Sequence, residues 1–409
     1  MSPTRSIPVP EFQSESRLRS RPLSGARGVR LALAGGGTGG HIVPGLHLLA
    51  QVRAQTRSGT GALDDLLWFT SGRAIESRVF AALPELIEGT HFERVALAIE
   101  PAGGGAPSRP QLLWHTPRAV ARARSALIAH GSEVVLGLGG FTSLPVVLAA
   151  RSLGIPVALL EINAAPGSAT RWLERFAERV FHAWPATMPR SGANARHVRI
   201  GPPLAPQFRP RSTGVATARA REALGFAGDR PLLVVLGGSQ GARALNEFVR
   251  AHAARFAARG VQVLHQTGSQ AEPPASVSLA GYRALEYIDP ITPALAAATV
   301  ALSRGGASTL AEIAALGVPA VVVPYPHHGD QHQARNAAEL GEGVRVVSEA
   351  RLGLALCDEL CDLCGDAGAA ERARMSGALV SAVPLDAATR LWKELALLAE
   401  RRRTRLRRT

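Results

Sequence analysis

The sequence predicts an α/β protein built from two doubly wound domains that face each other. Three observations carry this. One unit of strand, glycines and helix recurs four times. Its two most similar copies, VRLALAGGGTGG and RPLLVVLGGSQG, begin about 200 residues apart. Between them, residues 201–218 (GPPLAPQFRPRSTGVATA) lose all periodicity and gather Pro and Gly, as a boundary between domains does.

The units are VRLALA-GGGTGGH-IVPGLHLLAQV, EVVLGLGGFTSLPVVLAARSLG, PLLVVLGGSQGARALNEFVRAHAARF and VALSRGGASTLAEIAALGVPAVVVPYP. Each joins a short apolar run to a helix-period segment, the signature of strands and helices alternating around a parallel sheet. Glycines at a strand's C-terminal end let a ligand approach the backbone. The helix that follows aims free N–H groups and a positive dipole end at it.

Gly35, Gly37 and Gly40 satisfy the spacing of a dinucleotide-binding turn. The acidic residue such a site needs about 20 positions later is missing: no Asp or Glu lies between Gln51 and Leu63. The loop also lacks the Lys-Ser/Thr ending of a P-loop. What remains is a glycine turn with His41 at its mouth and another ligand to find.

The formal charge of +14 is concentrated at the ends. Residues 1–30 hold six Arg and two Glu, residues 401–409 (RRRTRLRRT) hold six Arg, and the body between them carries only +4. With Lys393 the only lysine and no basic patch interleaved with aromatics, nucleic acid is not an expected partner. Residues 1–28, rich in Ser, Pro and Arg, read as a disordered basic extension and not as a secretory signal. No apolar run reaches the length of a membrane span.

Cys357, Cys361 and Cys364 have the C-x3-C-x2-C spacing of an iron–sulfur site. Spacings of four and three also place all three on one helical face, so small thiols on a buried stripe are the expectation.

The fourth unit says most about the ligand. Gly305 and Gly306 run into Ala307, Ser308 and Thr309, with Glu312 following. N–H groups and hydroxyls there can hold phosphate oxygens, and one carboxylate can accept from both ribose hydroxyls. Downstream, Asp330, His332, Gln333 and Asn336 supply the polar density that suits a sugar. His41 as a packed or capping residue, Glu312 as a dipole partner, and zinc at His327, His328, Asp330 and His332 are the alternatives.

GGTGGH (Gly36 to His41), GLGGFTSLP (Gly137 to Pro145), GGSQGAR (Gly237 to Arg243), GGASTLAEIAALGVPA (Gly305 to Ala320) and HQARN (His332 to Asn336) resemble the MurG family, in order and spacing, from about residue 29 to 345. The resemblance implies the GT-B fold: two facing Rossmann-like doubly wound domains with an interdomain cleft. It implies a basic extension at 1–28, an acceptor and membrane domain at 29–203, a UDP-sugar domain at 204–384, a helix at 385–400 returning to the first domain, and an Arg-rich tail at 401–409. The implied reaction is inverting, metal-independent transfer of N-acetylglucosamine from UDP-N-acetylglucosamine to the 4-hydroxyl of a polyprenyl-pyrophosphoryl muramyl peptide, in peptidoglycan synthesis. No cofactor is implied, and the enzyme would lie peripherally on the anionic inner leaflet of the cytoplasmic membrane.

Carried over by motif, Thr38, Gly39 and Gly40 would line the sugar and acceptor side, and Asn163 would meet the donor sugar. Ser239 would bind the pyrophosphate and Ile288 the uracil, through its backbone. Ala307, Ser308, Thr309, Leu310, Ala311 and Glu312 would hold phosphate and ribose, and Gln333 would read the sugar hydroxyls. His41 is the candidate catalytic base, its near-neutral imidazole being matched to that work. No D-x-D pair occurs to anchor a metal.

The chain departs from the family pattern at two places. Leu160, Glu161, Ile162 and Asn163 stand where the family reads His-Glu-Gln-Asn, and Ala205 ends Gly201-Pro202-Pro203-Leu204 where an arginine is usual. A sugar-nucleotide epimerase of the same fold and a UDP-sugar-binding homologue with altered acceptor are the alternative functions. For the membrane contact, Leu112, Leu113 and Trp114 beside Arg109, Arg118, Arg122 and Arg124 form an apolar cluster rimmed by cations.

Overall fold

The computed structural model describes residues 28–57, 62–81, 83–99, 109–191, 194–211, 214–238, 240–269, 279–326 and 331–408; the side chains of Ile75 and of 109–114 lie outside that description. The expected extension at 1–28 therefore falls almost wholly outside the described residues.

The first sheet holds β1 (Val29–Ala34), β2 (Leu63–Thr70), β3 (His91–Ala96), β4 (Val134–Gly137), β5 (Val157–Glu161), β6 (Arg179–His182) and β7 (His197–Arg199), in the order β3-β2-β1-β4-β5-β6-β7. The second holds β8 (Leu232–Leu236), β9 (Gln262–Gln266), β10 (Tyr282–Leu285), β11 (Val300–Ser303), β12 (Ala320–Val322) and β13 (Val344–Val346), in the order β10-β9-β8-β11-β12-β13. Every pairing is parallel. Central strands such as LLVVL (β8) are apolar at every position because helices cover both faces.

In both sheets the order reverses between two strands that each end in glycines, β1 and β4 in the first, β8 and β11 in the second. Ligands of open α/β sheets bind at such switch points, so the topology delivers four Gly-rich loops to two facing places.

The chain crosses between the sheets twice, and the crossings touch. A Cβ on Gly201 (φ +90°) would lie 2.2 Å from Pro384 Cγ, so only glycine allows this contact. The C-terminal helix, Ala387–Leu406, then buries Leu391, Trp392, Leu395 and Leu398 in the core of the first sheet. It does not stop at Glu400. Arg403 Nε donates to Glu133 Oε1 at 2.8 Å and Arg402 Nη1 to the Ser132 carbonyl at 3.0 Å. The expected Arg-rich tail is thus, through Leu406, helix docked on the foot of β4, because Glu133 offers a buried partner that charge counting does not reveal.

Cys357, Cys361 and Cys364 are buried on one face of the helix Leu354–Cys364, in a core with Leu356 and Met375. Burial pushes the Cys364 thiol up to about 12, keeping it protonated.

Candidate active site

The first Gly-rich loop is held from below by a residue the sequence reading passed over. Glu76 is fully buried, and its Oε1 accepts from Gly37 N at 2.7 Å, Ser71 N at 3.0 Å and Ser71 Oγ at 2.7 Å, while Oε2 accepts from Gly72 N at 3.0 Å. Trp68 Nε1 donates to the Gly35 carbonyl at 2.9 Å and Arg73 Nη1 to that of Gly37 at 2.9 Å. The only trace of this in the sequence is an acid in the first turn of the short helix after β2. A bond across 39 residues leaves no periodic signature.

Thr38 and Gly39 are half-buried and Gly40 is exposed, opening the helix Gly39–Arg57. The His41 ring lies against Gly139 and Gly140 of the loop after β4. A Cβ on Gly139 (φ +102°) would come within 2.9 Å of His41 Cδ2, so the glycines clear a seat for the imidazole. His41 Nδ1 is 3.3 Å from the Gly36 carbonyl and 3.4 Å from Thr38 Oγ1. With Nδ1–H donated to Gly36, Nε2 keeps its lone pair. Burial pulls the His41 pKa below its ordinary value of 6.5, against the raising effects of the Gly36 carbonyl and Glu161, and His332 from the second sheet lowers it further. The resting ring is therefore neutral, as a base must be.

His41 borders a cavity of about 380 Å³ lined by Phe141, Leu144, Leu160, Ile162 and Trp172. Glu161 lies beside it, with its carboxylate already saturated: Oε1 accepts from Asn163 N at 3.0 Å, and Oε2 from Gly167 N at 2.8 Å and Thr170 Oγ1 at 2.6 Å. Leu160 and Ile162 are 2% and 5% exposed, and Ala205 at 3% packs with Trp184 and Phe208. These departures from the family pattern thus sit in the core, where apolar side chains are stable.

Asn163 spans the cleft: its Oδ1 accepts from Asn336 Nδ2 at 3.3 Å, while Asn336 Oδ1 takes the Ala164 N–H at 2.7 Å. Gln333 Oε1 joins two loops, accepting from Gly305 N at 3.2 Å and Tyr325 N at 2.9 Å.

On the donor side, the helix Ala307–Leu316 begins after Gly306, and its first intrahelical bond runs from Leu310 N to the Gly306 carbonyl at 2.9 Å. The N–H groups of Ala307, Ser308 and Thr309 precede that bond and lack helical acceptors. Ser308 Oγ is buried with no hydrogen-bond partner. Leu310 and Ala311 pack in the core and Ala307 is also buried, which leaves the half-buried Ser308 and Thr309 as the most accessible of the expected set. Glu312 is 6% exposed and bonded to His47 Nε2 at 3.1 Å.

Ile288 is buried, and its N–H donates to Gln266 Oε1 at 3.0 Å, while Gln266 Nε2 donates to the Gly238 carbonyl at 3.1 Å. One side chain, absent from the sequence reading, thus links the candidate uracil and pyrophosphate loops. Ser239 lies outside the described residues, as do His327, His328 and Asp330.

Two family descriptions match this architecture sheet by sheet: the glycosyltransferase family 28 N-terminal domain over residues 31–182 and its C-terminal domain over residues 232–360. A UDP-N-acetylglucosamine–N-acetylmuramyl-(pentapeptide) pyrophosphoryl-undecaprenol N-acetylglucosamine transferase of Sorangium cellulosum is 37% identical, covering 92% of this chain and 90% of that protein. The protein of that name from Mycobacterium tuberculosis is 36% identical over 80% of this chain and 79% of its own. Among solved structures, Acinetobacter baumannii MurG superposes with a TM-score of 0.59 at 24% identity, covering 90% of this chain and 98% of that one. A UDP-GlcNAc 2-epimerase from Neisseria meningitidis gives 0.57 at 13% identity, over 90% of this chain and 99% of that one, so the fold is shared with another chemistry. With both domains of the family present in order and relatives this similar along nearly the whole chain, the protein belongs to the MurG family of glycosyltransferases and is a hexosyltransferase.

Proposed function

We propose that the chain transfers N-acetylglucosamine from UDP-N-acetylglucosamine to the 4-hydroxyl of the muramyl sugar in a polyprenyl-pyrophosphoryl muramyl peptide, with inversion and without a metal ion. The observation that carries this is a neutral imidazole and an unsatisfied helix N-terminus on opposite walls of one cleft, with His332 close enough to lower the His41 pKa. The acceptor oxygen attacks the anomeric carbon on the face opposite UDP and gives its proton to His41 Nε2. The bond from that carbon to the β-phosphate oxygen breaks, and its electron pair leaves with UDP. The developing charge meets the N–H groups of Ala307, Ser308 and Thr309 and the dipole behind them. Glu312 takes the ribose hydroxyls, Ile288 meets the uracil, and Asn163 and Gln333 face the donor sugar, with Thr38, Gly39 and Gly40 on the acceptor side.

The relatives' names supply the donor and acceptor, and the apolar cavity beside His41 accords with a lipid-linked acceptor. No helix among the described residues is long and apolar enough to cross a membrane. Attachment to the anionic inner leaflet would therefore be peripheral, through the helix Arg109–His130, where Arg118, Arg122 and Arg124 are exposed. Incubation with UDP-N-acetylglucosamine and the lipid-linked muramyl peptide tests the reaction. A disaccharide product with β configuration by NMR is expected. An epimerised sugar nucleotide, or UDP-sugar binding with no turnover, would overturn the proposal.

A further inference from the structure

The largest chemical surprise in the cleft is that Glu312 already has a partner, and that this partner comes from the other sheet. His47 lies 265 positions earlier, on the helix that also carries His41, and its Nε2 meets Glu312 Oε1 at 3.1 Å. Both residues are buried, His47 at 7% and Glu312 at 6% exposure. The imidazole is itself held, in a T-shaped contact with the Phe208 ring, centroids 5.0 Å apart and planes at 83°. Small residues let the two helices approach: Ala307 joins the core of the first sheet and Ala50 packs on that of the second.

A carboxylate that must accept from two vicinal hydroxyls has to be held in one rotamer. A free glutamate has three rotatable bonds, and ordering it costs affinity when the ligand binds. His47 removes that freedom beforehand by bonding one oxygen. Among the described residues Glu312 Oε2 has no hydrogen-bond partner, and it is not sealed from solvent, so it stays available to a ligand. Each carboxylate oxygen also has two lone pairs, so Oε1 can accept a hydroxyl beside the imidazole.

We propose that His47 is a positioning residue for the donor: it holds the Glu312 carboxylate in the orientation that recognises a ribose diol and ties that recognition to the helix bearing His41. This rests on the reading of Glu312 as the ribose acceptor. His47 touches neither sugar nor phosphate and acts through Glu312.

The test compares UDP with 2′-deoxy-UDP by calorimetry in the full chain. The parent should prefer UDP by about 10- to 100-fold, the range for hydrogen bonds to a charged group. His47→Leu, which keeps volume and removes the donor, should bring the ratio close to one by weakening UDP alone. It should raise the donor KM with kcat within about threefold. His47→Gln, which keeps an N–H, should restore the ratio, and His47→Ala gives the same readout should the leucine variant fail to fold. Glu312→Ala separates the two readings. If it abolishes the preference while His47→Leu and His47→Ala keep it, or weaken both ligands equally, the role of His47 is overturned. If Glu312→Ala itself retains the preference, the ribose reading falls and the proposal with it.

Discussion

The loop after β1 and the loop after β11 look alike in sequence, each a run of glycines entering a helix, yet different partners meet their backbones. In the first, the Gly37 N–H is consumed by a buried carboxylate, and the neighbouring Ser71 and Gly72 N–H groups feed the same Glu76. In the second, the Gly305 N–H is taken by Gln333 Oε1, while the N–H groups of Ala307 to Thr309 precede the first helical bond and Ser308 Oγ is buried without a partner. A glycine loop whose donors are satisfied is a scaffold; one whose donors are vacant is a cradle. In the proposed mechanism the first holds the base in place and the second receives the pyrophosphate.

This contrast predicts different consequences on the two sides. Removing the group the scaffold presents should have the largest effect: His41→Ala should lower turnover by roughly 10²–10⁴-fold with UDP affinity unchanged, and a fully active variant would remove His41 as base. Disturbing the scaffold should come next. Glu76→Gln turns part of an acceptor into a donor facing donors, so it should cost about 1–3 kcal/mol of folding stability and lower kcat together, read by denaturant unfolding and rate on one sample. An active variant of parental stability would show the loop does not need the carboxylate.

A smaller effect concerns pH. Because the fold lowers the His41 pKa, the acidic limb of the kcat/KM profile should lie below 6.5, with rate lost as the ring protonates. Stability should move in the same direction. His265 and His182, both lowered to about 4, first by burial and then by Arg250 and His197 respectively, bind fewer protons folded than unfolded. Their contribution is complete above 6.5 and is lost as pH falls towards 4. A flat melting temperature over that window would contradict this. Smallest of all, Ser308→Ala on the cradle side should weaken UDP by about 0.5–1.5 kcal/mol and leave folding stability intact, as calorimetry and thermal unfolding would show. Equal losses in both would make Ser308 structural.

The sequence alone determined the two sheets, their Gly-rich loops and the place of His41, because strand and helix periods and glycine turns are local and repeat along the chain. It also announced the helix that carries Glu312. The tertiary structure alone decided which of those groups are available. Glu76 under Gly37, Gln266 joining Gly238 to Ile288, and His47 on Glu312 are single bonds between residues far apart in the chain, and no period announces them. Local patterning sets where a backbone turns. Only packing sets which of its donors are already spent and which charged end meets a buried partner, as Arg403 meets Glu133.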